Sequence, residues 1–230
     1  MAPRLIYLHG LAGGPELSPA VAGLTDIDVI APVLPGFDGG PGFEPPSDHL
    51  GWLTLVWDAL DATGALPCPV IGASVGGMLA AELAVLRPEA VTRLALLAPL
   101  GLFDADDPGE DPFAVPGPAR LPLLFSSDVP TPFLESFPDR EPAEQLVARF
   151  LVQVAAASLV WPFPDRGLAG RLHRLTAPTL LVWGEADRIA PVALAERWPA
   201  DERVHVPGAG HMVEWDAPEQ VGSALQKWVS

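Results

Sequence analysis

The sequence predicts an α/β fold in which helices cover both faces of a mostly parallel sheet. Six short runs are nearly continuous in valine, isoleucine and leucine, which is typical of strands buried on both faces. Helical patterns lie between these runs, and this alternation is that of a layered α/β protein. The chain has 230 residues, of which 49% are hydrophobic and 18% are charged. Such a composition is typical of a folded globular protein with one large core.

The six predicted strands follow directly from the apolar runs. In chain order they cover Arg4 to Leu8, Asp28 to Ala31, Pro69 to Gly72, Thr92 to Ala98, Thr179 to Trp183 and Arg203 to Val206. Because neighbouring parallel strands need a crossover connection, we expect helices in the intervals between them.

Three core helices have signals at their ends. Ser47 is a candidate N-cap for a helix whose apolar residues recur at helical spacing. A second helix is expected from Ser74 to Arg87, because Pro88 disfavours its continuation. Asp216 is a candidate N-cap for the last helix, with Pro218 in its first turn.

One segment interrupts the alternation. Residues 101–166 hold 11 of the 28 prolines and no clear strand, so we predict a cap inserted into a core formed by residues 1–100 and 167–230. Within it, residues 141–160 have a helical pattern with Leu146, Phe150 and Val154 on one face. A cap of this kind would cover a site at the carboxyl edge of the sheet. The alternative is a loose linker between two domains, although neither flank would close a sheet alone.

Composition and charge exclude several classes of function. The net charge is −16 and the few basic residues are scattered, so we expect no nucleic-acid partner. Cys68 is the only cysteine, and no histidines have metal-ligand spacing, so we expect neither a disulfide, a metal nor a cofactor. The apolar runs fall short of the roughly 20 residues that span a bilayer, and no leader pattern is present. We therefore expect a cytoplasmic protein without a membrane partner.

The strongest chemical signal is Gly72-Ala-Ser74-Val-Gly76, which follows a strand and opens a helix. This strand–turn–helix context is that of a nucleophile elbow, in which a strained turn exposes a serine hydroxyl and small neighbours leave room for the close approach of strand and helix. Because a G-x-S-x-G match alone is weak, the flanking elements carry the prediction that Ser74 is a nucleophile.

A glycine-rich loop, His9-Gly10-Leu11-Ala12-Gly13-Gly14, follows the first strand. Such a loop can direct a backbone N–H at the oxygen of a bound carbonyl, and we predict an oxyanion hole formed by the amides of Leu11 and Val75. The alternative is a phosphate-binding loop, but neither G-x-G-x-x-G nor G-K-[ST] is present.

Two later segments supply a candidate acid and base. Asp187 lies just past the fifth strand, where a carboxylate can orient an imidazole and stabilise its cation. His211 follows the last strand among glycines that suit a mobile loop. The order Ser74, Asp187, His211 is the order of nucleophile, acid and base in α/β hydrolases.

Together these segments resemble the α/β-hydrolase superfamily over nearly the whole chain. The segment from Ala177 to Arg188, APTLLVWGEADR, is similar to the acid-bearing strand and turn of that family, and PGAGH, ending at His211, is similar to its histidine loop. The likeness is greatest to small capped members, namely esterases, haloperoxidase-like enzymes and carbon–carbon bond hydrolases of ring cleavage. It implies that Ser74, Asp187 and His211 are catalytic. It also implies that the family's N-terminal hairpin is missing, which leaves a new sheet edge.

The resemblance implies a serine hydrolase that acts on a small-molecule acyl substrate, a small or medium carboxylic ester. Two other functions stay open: cleavage of a carbon–carbon bond in a vinylogous diketone, and ligand binding without catalysis on the same fold. The acid has an alternative as well, because Asp104 follows the fourth strand at a position that some family members use.

Overall fold

The computed structural model describes residues 2–11, 17–37, 48–115, 117–126, 128–134, 141–161 and 166–230. Within these ranges a single six-stranded sheet forms the centre of the fold, and all its strand pairs are parallel. The strands are β1 (Arg4–Leu8), β2 (Asp28–Ile30), β3 (Cys68–Ala73), β4 (Val91–Leu97), β5 (Thr179–Gly184) and β6 (Glu202–Val206). The predicted fold class is therefore confirmed, and each strand end lies within one residue of its predicted place.

Helices connect and cover the strands. The α-helices are α1 (Pro19–Ala22), α2 (His49–Ala62), α3 (Val75–Leu86), α4 (Leu121–Leu124), α5 (Thr131–Leu134), α6 (Pro142–Val160), α7 (Leu168–Arg171), α8 (Val213–Asp216) and α9 (Pro218–Val229). Short 3₁₀ helices cover Pro88–Ala90, Gly117–Arg120, Leu172–Arg174 and Val192–Arg197. Helix α3 packs directly on β3 and β4 and is buried along nearly its whole length, so it is the central helix of the core.

Two predicted helix caps were wrong by one residue. The N-cap of α2 is Asp48, whose carboxylate accepts the Gly51 N–H at 2.7 Å, whereas Ser47 lies outside the described residues. The N-cap of α9 is Ala217. Asp216 ends α8 instead, and its carboxylate accepts the Gly210 N–H at 2.7 Å. A tertiary contact has thus taken the side chain that the local pattern assigned to a cap.

The strand order is β2-β1-β3-β4-β5-β6, so the direction of winding reverses between β1 and β3. The carboxyl ends of strands at such a reversal form the crevice in which α/β sheets bind ligands. Leu11 follows β1 and Ser74 follows β3, so the topology brings these two predicted site residues to the same crevice. The new sheet edge expected near the N-terminus is formed by β2, which lies outside β1 in the sheet.

The apolar face that the sequence pattern identified in α6 is not the face that the fold buries. Leu146 and Phe150 are 68% and 61% exposed, whereas Ala148, Ala155 and Ala156 are buried. The helix is apolar on both faces, so periodicity alone did not distinguish them. Its small residues permit close packing, and α6 lies against α3.

By length and composition, α6 is also the one helix among the described residues that is apolar enough to cross a membrane. The expectation from the sequence considered only uninterrupted apolar runs, and polar residues interrupt the apolar ones in α6. In the fold, 33% of the most apolar stretch of this helix is buried, and core helices of globular proteins can have the same length and composition.

Candidate active site

Ser74 occupies a strained turn between β3 and α3. Its backbone has φ 53° and ψ −116°, a conformation that L-residues rarely adopt. Hydrogen bonds hold the turn on both sides: Ser74 N donates to Leu97 O at 2.8 Å, and Ser74 O accepts from Met78 N at 3.1 Å and Leu100 N at 3.0 Å. The surrounding sheet and helix therefore fix the backbone conformation that the motif predicted.

The first glycine of the motif allows this turn to close. A β-carbon placed on Gly72 would lie 2.4 Å from Gly76 O, which is far inside van der Waals contact. Because the obstructing atom belongs to the backbone, no side-chain movement could relieve the contact. Gly72 is thus required by the close return of α3 onto the end of β3.

The structure brings Ser74, His211 and Asp187 into one hydrogen-bonded chain. Ser74 Oγ lies 2.7 Å from His211 Nε2, and His211 Nδ1 lies 2.8 Å from Asp187 Oδ2. Because a carboxylate only accepts hydrogen bonds, Nδ1 carries the proton of a neutral imidazole and Nε2 presents its lone pair to the serine. Ser74 and His211 are each only 1% exposed. This arrangement can withdraw a proton from the serine hydroxyl in a site with little water.

The Asp187 carboxylate is held by its own loop. Its Oδ1 accepts the N–H groups of Ile189 and Ala190, both at 2.9 Å, which leaves Oδ2 directed at His211. Asp104, the open alternative, lies elsewhere: its Oδ2 is 3.4 Å from Arg197 Nη1, and its side chain is 39% exposed. Of the two candidates, the structure brings Asp187 to the histidine.

The loop that carries His211 is tied down by backbone hydrogen bonds. Ala209 O accepts the Ala186 N–H at 2.9 Å, and Met212 N donates to Leu124 O at 2.9 Å. A β-carbon on Gly184 would lie 2.3 Å from both Ala209 O and Gly210 O, so this glycine lets the loop cross the end of β5. The mobility that the sequence predicted for this loop stays a prediction, and Gly184, which lies at the end of β5 rather than in the loop, serves close packing.

The two predicted oxyanion donors both belong to segments that adjoin Ser74. Val75 is the first residue of α3, so its N–H has no acceptor within the helix. A β-carbon on Gly10 would lie 3.1 Å from Ser74 Cβ, so the chain passes Ser74 immediately before Leu11. The rest of the predicted glycine loop, from residue 12 to 16, lies outside the described residues.

Residues 5–224 match the sequence model of the alpha/beta hydrolase family. The chain belongs to the alpha/beta hydrolase family. The match runs from the second residue of β1 to within α9, so it includes the whole sheet apart from Arg4.

Curated relatives of this alpha/beta hydrolase have several activities. A pimeloyl-[acyl-carrier protein] methyl ester esterase from Aeromonas hydrophila is 28% identical over 249 residues, covering 99% of this chain and 95% of that protein. The dihydrolipoyllysine-residue acetyltransferase component of the acetoin cleaving system from Cupriavidus necator is also 28% identical, over 245 residues. That alignment covers 98% of this chain but 63% of the relative, so the chain spans less than two thirds of that protein's length.

A solved structure with the same fold is the 2-hydroxy-6-oxo-6-phenylhexa-2,4-dienoate hydrolase from Rhodococcus sp. strain RHA1. The two chains superpose with a TM-score of 0.72 and 20% sequence identity, over 98% of this chain and 90% of that one. At this identity the likeness establishes the alpha/beta hydrolase fold alone.

His9 supports the backbone beside Leu11, one of the predicted oxyanion donors, and the sequence assigned it no such role. Its Nδ1 lies 3.2 Å from Gly10 O and its Nε2 accepts the Leu34 N–H at 3.0 Å, so Nδ1 carries the proton. Its ring packs edge-on against Phe37, with the ring centroids 4.7 Å apart. Burial lowers the pKa of His9 to about 4, so the ring stays neutral and fixes the course of the chain at Gly10.

Glu214 was also missed by sequence reasoning. It is 1% exposed, and neither of its carboxyl oxygens has a hydrogen-bond partner among the described residues. Burial raises the pKa of Glu214 to about 7; the negative charges of Asp216 and Asp187 act in the same direction, while His211 opposes it. No local pattern marks this glutamate as buried, because α8 is a single turn whose surroundings come from distant parts of the chain.

A second buried glutamate, Glu82 in α3, is hydrogen-bonded to side chains of two other segments. It accepts hydrogen bonds from His49 Nε2 at 3.1 Å and Arg171 Nε at 3.2 Å. Burial by itself would raise the pKa of Glu82, but these hydrogen bonds and charges hold it below its usual value. The pair with Arg171 therefore joins α3 to α7, away from the serine.

Other reactive groups do not compete with Ser74. Cys68 is buried, and burial raises the pKa of its thiol to about 11, so little thiolate forms at neutral pH. Among the described residues, no cluster of three or more His, Cys, Asp or Glu side chains could hold a metal ion.

Aromatic side chains of the cap segment, residues 101–166, pack beside the histidine loop. Phe125 and Phe133 meet edge-on with ring centroids 4.8 Å apart, and Phe133 meets Trp215 of α8 at 5.5 Å. Phe150 and Trp161, by contrast, are largely exposed. The cap segment also contains phenylalanines at positions 137 and 163, which lie outside the described residues.

Proposed function

We propose that this alpha/beta hydrolase is a serine hydrolase that cleaves a small or medium carboxylic ester through an acyl-enzyme intermediate. The observation that carries the proposal is the continuous chain from Ser74 Oγ through the His211 ring to Asp187 Oδ2, with 2.7 and 2.8 Å separations. A buried serine whose hydroxyl faces an oriented imidazole is the arrangement that activates this nucleophile.

The proposed reaction proceeds in two halves. Ser74 Oγ attacks the ester carbonyl carbon while its proton moves to His211 Nε2, and the Leu11 and Val75 amides stabilise the negative oxygen. Each such donor typically contributes about 3–4 kcal/mol to the transition state. The carbon–oxygen bond to the alcohol then breaks, and the alcohol takes the proton from Nε2.

In the second half, water replaces the alcohol. His211 Nε2 removes a proton from this water as its oxygen attacks the acyl carbon. The tetrahedral intermediate then collapses, the bond to Ser74 Oγ breaks, and Nε2 returns the proton to the serine. Asp187 stabilises the imidazolium in both halves without taking the proton.

The apolar cluster of Phe125, Phe133 and Trp215 beside the histidine loop supports an apolar acyl group. The relative from Aeromonas hydrophila is a methyl ester esterase, which makes methyl esters of medium-length acids the first substrates to test. For this chain we propose no metal, no cofactor and no nucleic-acid partner.

A fluorophosphonate probe tests the proposal directly. We expect one covalent adduct, on the peptide that contains Ser74, and its loss in both Ser74→Ala and His211→Ala. A folded wild-type protein that gains no adduct and hydrolyses no ester would contradict the proposal and favour ligand binding without catalysis. Turnover of ring-fission diketones in preference to p-nitrophenyl esters would instead favour carbon–carbon cleavage, the activity open from the sequence.

A further inference from the structure

One carboxylate oxygen joins the histidine loop to the cap segment. Asp216 Oδ2 accepts the Gly210 N–H at 2.7 Å and the Ser126 N–H at 3.1 Å, and it also lies 3.1 Å from the Ser126 hydroxyl oxygen. Gly210 immediately precedes His211, whereas Ser126 lies 90 residues before Asp216 in the chain. The oxygen thus connects two segments that are distant in sequence.

The two segments are also in close contact beside this oxygen. A β-carbon on Gly210 would lie 2.8 Å from Ser126 N, so the backbones pass each other without room for a side chain. The Ser126 hydroxyl is also within hydrogen-bond distance of Gly208 O. On the other side of His211, Met212 N donates to Leu124 O at 2.9 Å. The residues directly before and directly after His211 therefore both contact the segment 124–126.

We propose that Asp216 is a positioning residue, which sets the orientation of His211 by tying the histidine loop to residues 124–126 of the cap segment. This role rests on the proposed function, because it takes His211 as the general base. Hydrogen bonds to an ionised carboxylate are stronger than those to a neutral acceptor, so one anion can hold the N–H groups of Gly210 and Ser126 firmly. A displacement of about 1 Å in a catalytic group can lower a rate about 100-fold.

Two substitutions separate positioning from general stability. Asp216→Ala removes the acceptor, whereas Asp216→Asn keeps an amide oxygen that can accept some of the same hydrogen bonds. Asp128→Ala is the matched control, since it removes an exposed carboxylate two residues beyond Ser126. The measurements are kcat and KM on one p-nitrophenyl ester, per folded molecule, and hydrogen exchange of residues 121–126 and 208–212 by mass spectrometry.

We expect Asp216→Ala to lower kcat by roughly 10- to 100-fold with KM within about threefold, because orientation of the base affects the chemical step more than binding. Exchange should become faster in both segments together. Asp216→Asn should recover at least part of the lost kcat, and Asp128→Ala should match the wild type in every measurement.

Two results would overturn the positioning role. One is a wild-type kcat in folded Asp216→Ala, even with a lower melting temperature, because a purely structural residue would give that result. The other is unchanged exchange at both segments, which would mean that the carboxylate does not tie them. A wild-type protein that neither reacts with the fluorophosphonate nor hydrolyses esters would instead refute the proposed function itself, so the two failures are distinguishable.

Discussion

Gly76 and Leu8 meet backbone to backbone at the start of α3, two residues after Ser74. A β-carbon on Gly76 would lie 2.2 Å from Leu8 O, although the two residues belong to α3 and β1. This approach brings the start of α3 against the end of the strand that leads to Leu11. The second glycine of the serine motif is therefore a requirement of tertiary packing, in addition to any local flexibility.

The Gly76→Ala variant should be destabilised by about 3 kcal/mol or more, because neither backbone can retreat from a methyl group. Gly170→Ala is a matched control, since no atom lies within 4 Å of its β-carbon position in α7. The control should change stability by less than about 1 kcal/mol. Urea unfolding followed by circular dichroism measures both, and equal stabilities would contradict the packing argument.

The strained backbone at Ser74 predicts a difference between two inactive variants. Ser74→Ala and Ser74→Gly both remove the nucleophile and should lower kcat by roughly 10⁴-fold or more. Glycine adopts φ 53° without the β-carbon penalty, so Ser74→Gly should be about 1–2 kcal/mol more stable than Ser74→Ala. Thermal unfolding of the pair measures this difference, and an alanine variant of equal or greater stability would argue against strain.

The two candidate acids predict opposite outcomes in activity. Asp187→Asn should lower kcat by roughly 10⁴-fold, because the amide disfavours the imidazole tautomer that presents a lone pair to Ser74. Asp104→Asn should stay within about twofold of the wild type, since its carboxylate lies beside Arg197 on the surface. Steady-state ester hydrolysis distinguishes them. Activity that survives in Asp187→Asn and is lost in Asp104→Asn would reverse the assignment.

Glu214 predicts a pH-dependent loss of stability. Its pKa is about 7 in the folded protein against 4.5 when exposed, so between these values the folded state binds more protons than the unfolded state. The free energy of unfolding should therefore fall as pH rises from 4.5 to 7, by up to about 3 kcal/mol from this group. Burial holds the pKa of the Tyr7 phenol well above its usual range, and the negative charge of Glu214 acts in the same direction.

The Glu214→Gln variant isolates this contribution. The difference in free energy of unfolding, variant minus wild type, should be larger at pH 8 than at pH 5 by most of the loss of about 3 kcal/mol given above. The reason is that the glutamine cannot ionise, so the variant escapes the loss that the wild type undergoes. Glu219→Gln, at an exposed position in α9, is the control and should show no such increase. Urea unfolding at the two pH values gives the difference, and parallel pH profiles for Glu214→Gln and the wild type would refute it.

Local patterns in the sequence predicted much of the framework. Continuous valine, isoleucine and leucine identified the strands because both faces of each central strand are buried by the same packing. The turn at Ser74 could also be predicted, since only small residues fit beside it. Helix α6 could not be oriented in this way: both of its faces are apolar, and the size of its alanines decided which face packs.

The sequence by itself therefore determined the order of the elements and the residue types available at the carboxyl edge of the sheet. Only the tertiary structure decided which side chains meet there: Asp187 rather than Asp104 against His211, Asp216 across two loops instead of at a cap, and Glu214 without a hydrogen-bond partner among the described residues. These outcomes depend on contacts between residues far apart in the chain, whose distances and burial arise from packing of the whole fold and leave no periodic signal nearby.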